Sequence, residues 1–216
     1  MRTQTERNLQ INTAEKNSIK YLLYLPDDDE NSENHWPLIL FLHGAGERGD
    51  DLSRVKSHGP PRLVNEGRSL PFIIVSPQCP ENQRWEPEKL KLLLDQIITN
   101  YRVDQSRIYL TGLSMGGFGT WAMAAEYPNQ FAAIAPVCGG GNPAAAKKLS
   151  HIPAWVFHGA KDDLVPIKKS EEMVNALKRE DGNVRFTVYP EAGHDSWTET
   201  YNNQELYIWM LKHRLK

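Results

Sequence analysis

A serine inside the pattern G-x-S-x-G is the residue whose type and spacing most directly predict chemistry. The segment Gly112-Leu113-Ser114-Met115-Gly116 follows a strand-like run, RIYLTG, and opens an Ala-rich, helix-like run. A nucleophilic serine needs this strand–turn–helix context, because the tight, strained turn leaves no room for neighbouring side chains. The pattern therefore predicts that Ser114 is a nucleophile exposed at the end of a strand.

Four histidines follow Ser114 and are candidates for the base that a weakly nucleophilic hydroxyl requires. His194 lies in the glycine-containing loop YPEAGHDSW, just after the last strand-like run. His151 lies at a strand entrance, and His158 ends a strand directly before an acidic turn. His213 lies among charged residues of a terminal helix. Loop position and chain order favour His194 as the base.

A carboxylate is expected between the serine and the base, because enzymes with a strand–turn–helix serine order their triad Ser, acid, His along the chain. The segment HGAKDDLVP follows the strand-like run AWVF and offers Asp162 and Asp163. Either carboxylate can orient an imidazole and stabilise its cation. Composition does not choose between them.

Backbone N–H groups near Ser114 are the predicted donors to a developing oxyanion. One is the N–H of Met115, at the start of the helix-like run. The other comes from the glycine-rich loop HGAGERG after the strand-like run PLILFL, and is the N–H of Ala45 or Gly46. Glycines let the backbone approach a ligand closely, which is what such a donor pair needs.

Large and charged residues next to these segments are candidates for the walls of a substrate cavity. Trp85 and Trp197 are predicted to contact a substrate, with packing in the core or in a loop as the alternative for each. Glu47 and Arg48 are predicted to contact a polar substrate, or else to pair with charged neighbours on the surface.

The elements that must position these residues alternate along the chain. Strand-like runs are separated by helix-like segments, which predicts an α/β fold with a doubly wound, mostly parallel sheet. The apolar strand runs mostly lack alternation, as in strands buried on both faces, whereas 184–190 alternates and is expected nearer an edge. Residues 44–70 read as a long loop with a short helix. The predicted strands are 18–25, 37–44, 71–77, 107–112, 131–137, 154–159 and 184–190, and the predicted helices are 87–102, 114–127, 167–180 and 198–214.

Length and composition limit the class of protein. A chain of 216 residues is long enough for one sizeable core, and we expect a single domain over 1–216. The formal net charge is −2 and the basic residues are scattered, so no nucleic-acid partner is expected. The two cysteines, Cys79 and Cys138, are predicted to be buried free thiols rather than a disulfide framework.

The location of the chain is predicted from what its sequence lacks. The polar N-terminus has no apolar core of a signal peptide. No apolar run approaches the roughly 20 residues that a membrane span needs. These features favour a cytoplasmic protein without a membrane partner.

Four segments together, LHGAGERGDD, GLSMGG, HGAKDDLVP and GHDSW, resemble the compact phospholipase/carboxylesterase and dienelactone-hydrolase-like branch of the α/β-hydrolase superfamily. The resemblance covers the chain from about residue 18 onward and implies a fold without a large lid. It implies a serine esterase acting on a small-molecule ester, with no cofactor or metal. In the family the pattern D-x-x-V-P places the acid at Asp162, completed by Val165 and Pro166, with Asp163 as the second candidate. The loop of the family that combines a glycine with a histidine places the base at His194. Dienelactone hydrolases themselves use a cysteine nucleophile, where this chain has Ser114.

Other functions remain as alternatives. A thioesterase or a small peptidase would use the same triad, and leaving-group preference would separate them from an esterase. A non-catalytic binding protein on this scaffold would be expected to have lost a triad member. A dinucleotide-binding oxidoreductase would use Gly44, Gly46 and Gly49 as G-x-G-x-x-G, but no good helix follows these glycines at once. That interpretation also leaves the predicted triad unexplained.

Overall fold

A twisted, mostly parallel β-sheet forms the centre of the computed structural model, which describes residues 4–10, 18–26 and 34–215. Within these residues the sheet has eight strands in the order β1-β2-β4-β3-β5-β6-β7-β8. β1 and β2 pair antiparallel, as do β2 and β4, and all other neighbours are parallel. The strands are β1 (Thr5–Gln10), β2 (Ser18–Tyr24), β3 (Trp36–Leu42), β4 (Ile73–Pro77), β5 (Val103–Leu113), β6 (Ala133–Val137), β7 (Ala154–Gly159) and β8 (Val184–Tyr189).

Helices cover both faces of this sheet. One apolar cluster packs residues of α2, α3, α4 and α5 against one face, and a second packs residues of α1, α6 and α7 against the other. No helix among the described residues is long and apolar enough to cross a bilayer. The helices are α1 (Gly59–Asn65), α2 (Pro87–Asn100), α3 (Met115–Glu126), α4 (Ala146–Leu149), α5 (Lys168–Arg179), α6 (Trp197–Asn202) and α7 (Gln204–Leu211).

The predicted fold class is confirmed. The individual strands and helices that differ from the prediction do so for physical reasons. The apolar runs became central strands: every residue of β6 and β7 is buried. The alternating run became β8, the edge strand. β1 was not predicted, because this edge strand is polar and almost wholly exposed, and its backbone pairing with β2 is what orders it. The last predicted helix is broken into α6 and α7 at Asn203, whose side chain caps α7.

The sheet places the chemistry-bearing turns at one edge. β3 and β5 are parallel neighbours, although β4 comes between them in the chain and lies on the far side of β3. The order of the strands therefore reverses between β3 and β5, and ligands bind beyond the carboxyl ends of the strands at such a point. The turn after β5 holds Ser114, and the loop after β3 holds the predicted oxyanion donors.

Candidate active site

Ser114 lies in a strained turn between β5 and α3. Its φ is +51° and its ψ is −115°, a backbone conformation that costs a non-glycine residue on the order of 1–3 kcal/mol. The turn is tight because both flanking glycines contact backbone. A Cβ at Gly112 would lie 2.5 Å from the Gly116 oxygen, and one at Gly116 would overlap the Leu42 oxygen. The glycines of G-x-S-x-G are thus required by space, and they hold Ser114 at the end of β5.

The imidazole of His194 lies against the Ser114 hydroxyl. The loop after β8 brings the ring to Ser114, whose hydroxyl donates to Nε2 at 2.9 Å. His194 Nδ1 donates to Asp162 Oδ2 at 2.8 Å, which fixes the tautomer because a carboxylate only accepts. An imidazole in this tautomer can accept the serine proton.

The Asp162 carboxylate is held on several sides. Its Oδ1 accepts the backbone N–H groups of Leu164 at 3.0 Å and Val165 at 2.9 Å. The side chain is fully buried, and Oδ2 points at His194. The neighbouring Asp163 is exposed to solvent. The structure thus brings Ser114, His194 and Asp162 together and leaves Asp163 outside the cluster.

A second histidine, His158, contacts the same carboxylate, which sequence reasoning did not anticipate. It ends β7 and is fully buried, with Nε2 3.2 Å from Asp162 Oδ2 and 2.8 Å from the Val165 oxygen to which it donates. Its Nδ1 lies 2.7 Å from the Ser170 hydroxyl. The signal was present in the sequence as a histidine four residues before the acid, but its role depends on how the turn folds back.

Two helix N-termini meet at Ser114. Met115 is the first residue of α3, and Ala45 is the first residue of a 3₁₀-helix over Ala45–Glu47. The first N–H groups of a helix have no partner within the helix, so the N–H groups of Met115, Ala45 and Gly46 are available to a ligand. Helix N-termini favour negative charge. Both predicted sources of oxyanion donors therefore border the nucleophile.

His43 fixes the peptide that carries the Ala45 N–H. Its Nδ1 donates to the Gly44 oxygen at 2.6 Å, while its Nε2 accepts the Cys79 N–H at 2.9 Å. Burial lowers the pKa of His43 from 6.5 to about 4, so the ring is neutral at ordinary pH and keeps this tautomer. Because the Gly44 oxygen and the Ala45 N–H belong to one planar peptide, holding the oxygen orients the N–H.

Two arginines hold three further carbonyls of the loop. Arg54 donates to the Gly46 oxygen at 2.6 Å and to the Arg48 oxygen at 2.7 Å. Arg48 Nε donates to the Ala45 oxygen at 3.0 Å. Sequence reasoning missed Arg54, because a basic residue in an irregular segment has no distinguishing pattern. The structure gives Arg48 a role within the loop, rather than in the wall of the cavity.

An open cavity of about 370 Å³ lies over Ser114. Of the predicted wall residues it includes Trp197 and Glu47. The Trp197 ring stands edge-on to His194, with ring centroids 5.2 Å apart, so it shields one side of the imidazole. The lining residues are Gly44, Ala45, Gly46, Glu47, Leu113, Ser114, Leu164, Val165, His194 and Trp197.

Trp85 lies outside this cavity, contrary to the expectation that it contacts a substrate. Its indole N–H donates to the His43 oxygen at 3.1 Å, and its ring packs against the His43 ring and Gly119. The packing alternative is therefore the one that the structure supports. Trp85 braces His43, the residue that orients the Gly44–Ala45 peptide.

Both cysteines are buried free thiols, as predicted. The Cys138 sulfur lies within 4.8 Å of ligand atoms of Asp162 and His194. Burial raises the pKa of Cys138 to about 12, so the thiol stays protonated and is a poor metal ligand or nucleophile.

The comparison with family models matches residues 82–205 to the dienelactone hydrolase family. This match covers more than half of the chain, including Ser114, Asp162 and His194. The chain belongs to the dienelactone hydrolase family. This member of the family differs from the dienelactone hydrolases themselves in having a serine at the end of β5.

The chain is similar in sequence or structure to proteins named as esterases and to one named as a depolymerase. A bifunctional acetylxylan esterase/xylanase from Neocallimastix patriciarum is 28% identical over 80% of this chain. A poly(3-hydroxyalkanoate) depolymerase C from Paucimonas lemoignei is 43% identical over 48% of it. The chain spans only 26% and 28% of the lengths of these two relatives. A solved thermostable esterase superposes with a TM-score of 0.87 at 32% identity, covering 98% of this chain and 63% of that one.

Proposed function

We propose that this member of the dienelactone hydrolase family is a carboxylic ester hydrolase that acts through a serine acyl-enzyme. The observation that carries the proposal is the hydrogen-bonded chain from the Ser114 hydroxyl through His194 to Asp162, at 2.9 and 2.8 Å. The esterase activities in the names of related proteins support the same reaction class. The substrate is a small-molecule ester, and the chain's own side chains suffice for the chemistry.

In the first half of the reaction, Ser114 Oγ attacks the ester carbonyl carbon while His194 Nε2 accepts its proton. Asp162 holds the imidazole in place and stabilises the imidazolium that forms. The carbonyl oxygen, now negative, accepts hydrogen bonds from the N–H of Met115 and from the N–H of Ala45 or Gly46. One such donor is worth roughly 3 kcal/mol of barrier.

In the second half, the proton on His194 passes to the leaving alcohol, and the C–O bond breaks to give the acyl-enzyme. Water then enters the same position, loses a proton to His194 and attacks the acyl carbon. The returning proton releases Ser114 and the carboxylic acid. Trp197 limits the directions from which water reaches the imidazole, because its ring stands edge-on to His194.

The test is hydrolysis of p-nitrophenyl acetate, butyrate and octanoate by the wild type and by Ser114→Ala. We expect turnover by the wild type, with a rate for the variant lower by about 10⁴-fold or more. A fluorophosphonate probe should label the wild type at Ser114 and leave the variant unlabelled. Acetyl thioesters and aminoacyl anilides measured in parallel separate an esterase from a thioesterase or a peptidase.

Ser150→Ala is the matched control, because the hydroxyl of this half-buried residue donates to the Lys147 oxygen, away from Ser114. It should retain wild-type rates and labelling. Equal activity of the wild type and Ser114→Ala would contradict the assignment of the nucleophile. A wild type that is labelled at Ser114 but hydrolyses thioesters far faster than oxygen esters would contradict the assignment of the substrate.

A further inference from the structure

A buried carboxylate in the cavity wall has an oxygen without a partner. The Glu47 residue is only 9% exposed, and its Oε2 makes no hydrogen bond among the described residues. A carboxylate oxygen removed from water without a donor is strongly unfavourable. Such a group in a cavity wall points to a donor that the cavity's ligand supplies.

The unpartnered oxygen borders the same gap as the nucleophile. A Cβ placed at Gly44 would lie 3.2 Å from Glu47 Oε2 and 3.7 Å from Ser114 Cβ. Leu113 Cδ1 would lie closer still, at 2.8 Å, so glycine at position 44 leaves open a narrow gap that the carboxylate, the serine and Leu113 border together.

The nearest side-chain donors are committed elsewhere or too far away. His43 Nδ1 is 3.8 Å from Oε2, and its hydrogen is directed to the Gly44 oxygen at 2.6 Å. His58 Nε2 is 3.7 Å from the other oxygen, Oε1, beyond hydrogen-bond reach. Gln78 Nε2 donates to backbone oxygens of Glu47 and Asp51, each at 2.8 Å.

We propose that Glu47 is a specificity residue that accepts a hydrogen bond from a hydroxyl group on the acyl part of the substrate. The preferred substrates are then esters of short hydroxy acids. This inference rests on the proposed esterase function, because it places the acyl group on Ser114.

The topology assigns this hydroxyl to the acyl side rather than the alcohol side. β3 and β6 flank β5 on opposite sides, and β7 and β8 follow β6. His194 and Asp162 come from the β7–β8 side, and His194 protonates the leaving alcohol, so the alcohol lies toward that side. Glu47 follows β3, on the opposite side of the nucleophile.

The charges nearby favour a neutral donor over a cationic one. Arg48 and Arg54 hold carbonyls of the same loop, at 3.0 Å from the Ala45 oxygen and 2.6 Å from the Gly46 oxygen. These two guanidinium groups already supply positive charge to the loop that carries Glu47. A hydroxyl completes the missing hydrogen bond without adding a third cation.

The test compares p-nitrophenyl butyrate with its 2-hydroxy and 3-hydroxy counterparts, each rate divided by the ester's spontaneous hydrolysis rate. In the wild type, kcat/KM for at least one hydroxy ester should exceed that for butyrate by about tenfold or more, as expected for a hydrogen bond to a charged acceptor. Glu47→Gln, which keeps the shape and an acceptor oxygen, should reduce this ratio. Glu47→Leu should bring it to about one.

Glu88→Gln, at an exposed position on α2, is the matched control and should keep the wild-type ratio. The ratio separates specificity from folding, because a damaged fold lowers both rates alike. A wild-type ratio near one, a ratio unchanged in Glu47→Leu, or faster hydrolysis of the 3-amino ester than of the hydroxy esters would overturn the inference and leave the esterase proposal standing. Absence of turnover with every ester would overturn both.

Discussion

At the scale of single residues, the candidate site is organised around one carboxylate shared by two histidines. Asp162 Oδ2 lies 2.8 Å from His194 Nδ1 and 3.2 Å from His158 Nε2. His194 faces the cavity, whereas His158 is fully buried behind the acid. Its contacts with Asp162 and with the Val165 oxygen join two positions of the acidic turn.

Replacing the acid should separate the two adjacent aspartates. In Asp162→Asn we expect kcat to fall by about 10³- to 10⁴-fold, because an amide at this position can impose the wrong imidazole tautomer. The measurement is kcat for p-nitrophenyl butyrate. Asp163→Asn is the control, since this side chain is exposed, and should retain kcat within about twofold. The reverse pattern would make Asp163 the acid.

At the scale of secondary-structure elements, two short turns do most of the positioning. The turn after β5 holds Ser114 in a strained conformation at the N-terminus of α3. The loop after β3 forms a 3₁₀-helix whose carbonyls are held by His43, Arg48 and Arg54. In both turns the side chains or glycines fix the backbone, and each turn begins a helix whose first N–H groups have no partner within it.

The close contact of the two turns makes Gly116 intolerant of any side chain. A Cβ at this position would overlap the Leu42 backbone oxygen at the end of β3. We expect Gly116→Ala to lower the free energy of unfolding by about 3 kcal/mol or more, since backbone must move to relieve the overlap. Urea denaturation followed by tryptophan fluorescence measures this difference.

Gly46→Ala provides the control for the glycine prediction. No heavy atom lies within 4 Å of a Cβ placed there. We expect its free energy of unfolding to stay within about 0.5 kcal/mol of the wild type. If both variants unfold at the same urea concentration as the wild type, the packing argument for Gly116 is wrong.

At the scale of the whole molecule, the loops that form the candidate site all follow strands of one sheet. The apolar clusters on its two faces both span residues from the β2–β4 side to the β7–β8 side of the sheet. We propose on this basis that the chain folds as a single domain, with one cooperative unfolding transition. The cytoplasmic location expected from the sequence stays a prediction.

Burial of His43 links the stability of this domain to pH. Its pKa is lowered from 6.5 to about 4 in the folded protein, mainly by desolvation. Between these values the unfolded chain binds a proton that the folded chain does not, so acidification favours unfolding. The stabilisation is complete above pH 6.5 and is lost as pH falls toward 4, by about 3 kcal/mol in total.

Urea denaturation at intervals from pH 7.5 to pH 4 measures this dependence. The free energy of unfolding should depend less steeply on pH in His43→Gln than in the wild type. The difference in slope should correspond to at most one bound proton. Exposed His35→Gln should retain the wild-type slope. His213, whose pKa burial also lowers, contributes in the same direction in all three proteins and cancels in the comparison. Parallel slopes for the His43 variant and the wild type would argue against a neutral buried ring.

The sequence by itself determined the order of elements and the types of residue that end the strands. Apolar runs without alternation predicted the buried parallel strands, because a strand covered on both faces excludes polar side chains. The G-x-S-x-G turn could be predicted from the sequence because its constraint is local. Only glycine fits where one backbone segment contacts another. Edge strand β1 could not be predicted from the sequence, because its backbone pairing orders it while its side chains are almost all exposed.

Only the tertiary structure decided which distant residues meet. The contact of His158 with Asp162 and the loop contacts of Arg54 depend on how turns fold back across the sheet. The sequence predicted the same role for Trp85 and Trp197. In the structure Trp85 packs against His43, whereas Trp197 packs against His194. Local patterns record which neighbours in the chain a residue requires, whereas contacts between loops after different strands arise only when the sheet brings those strands together.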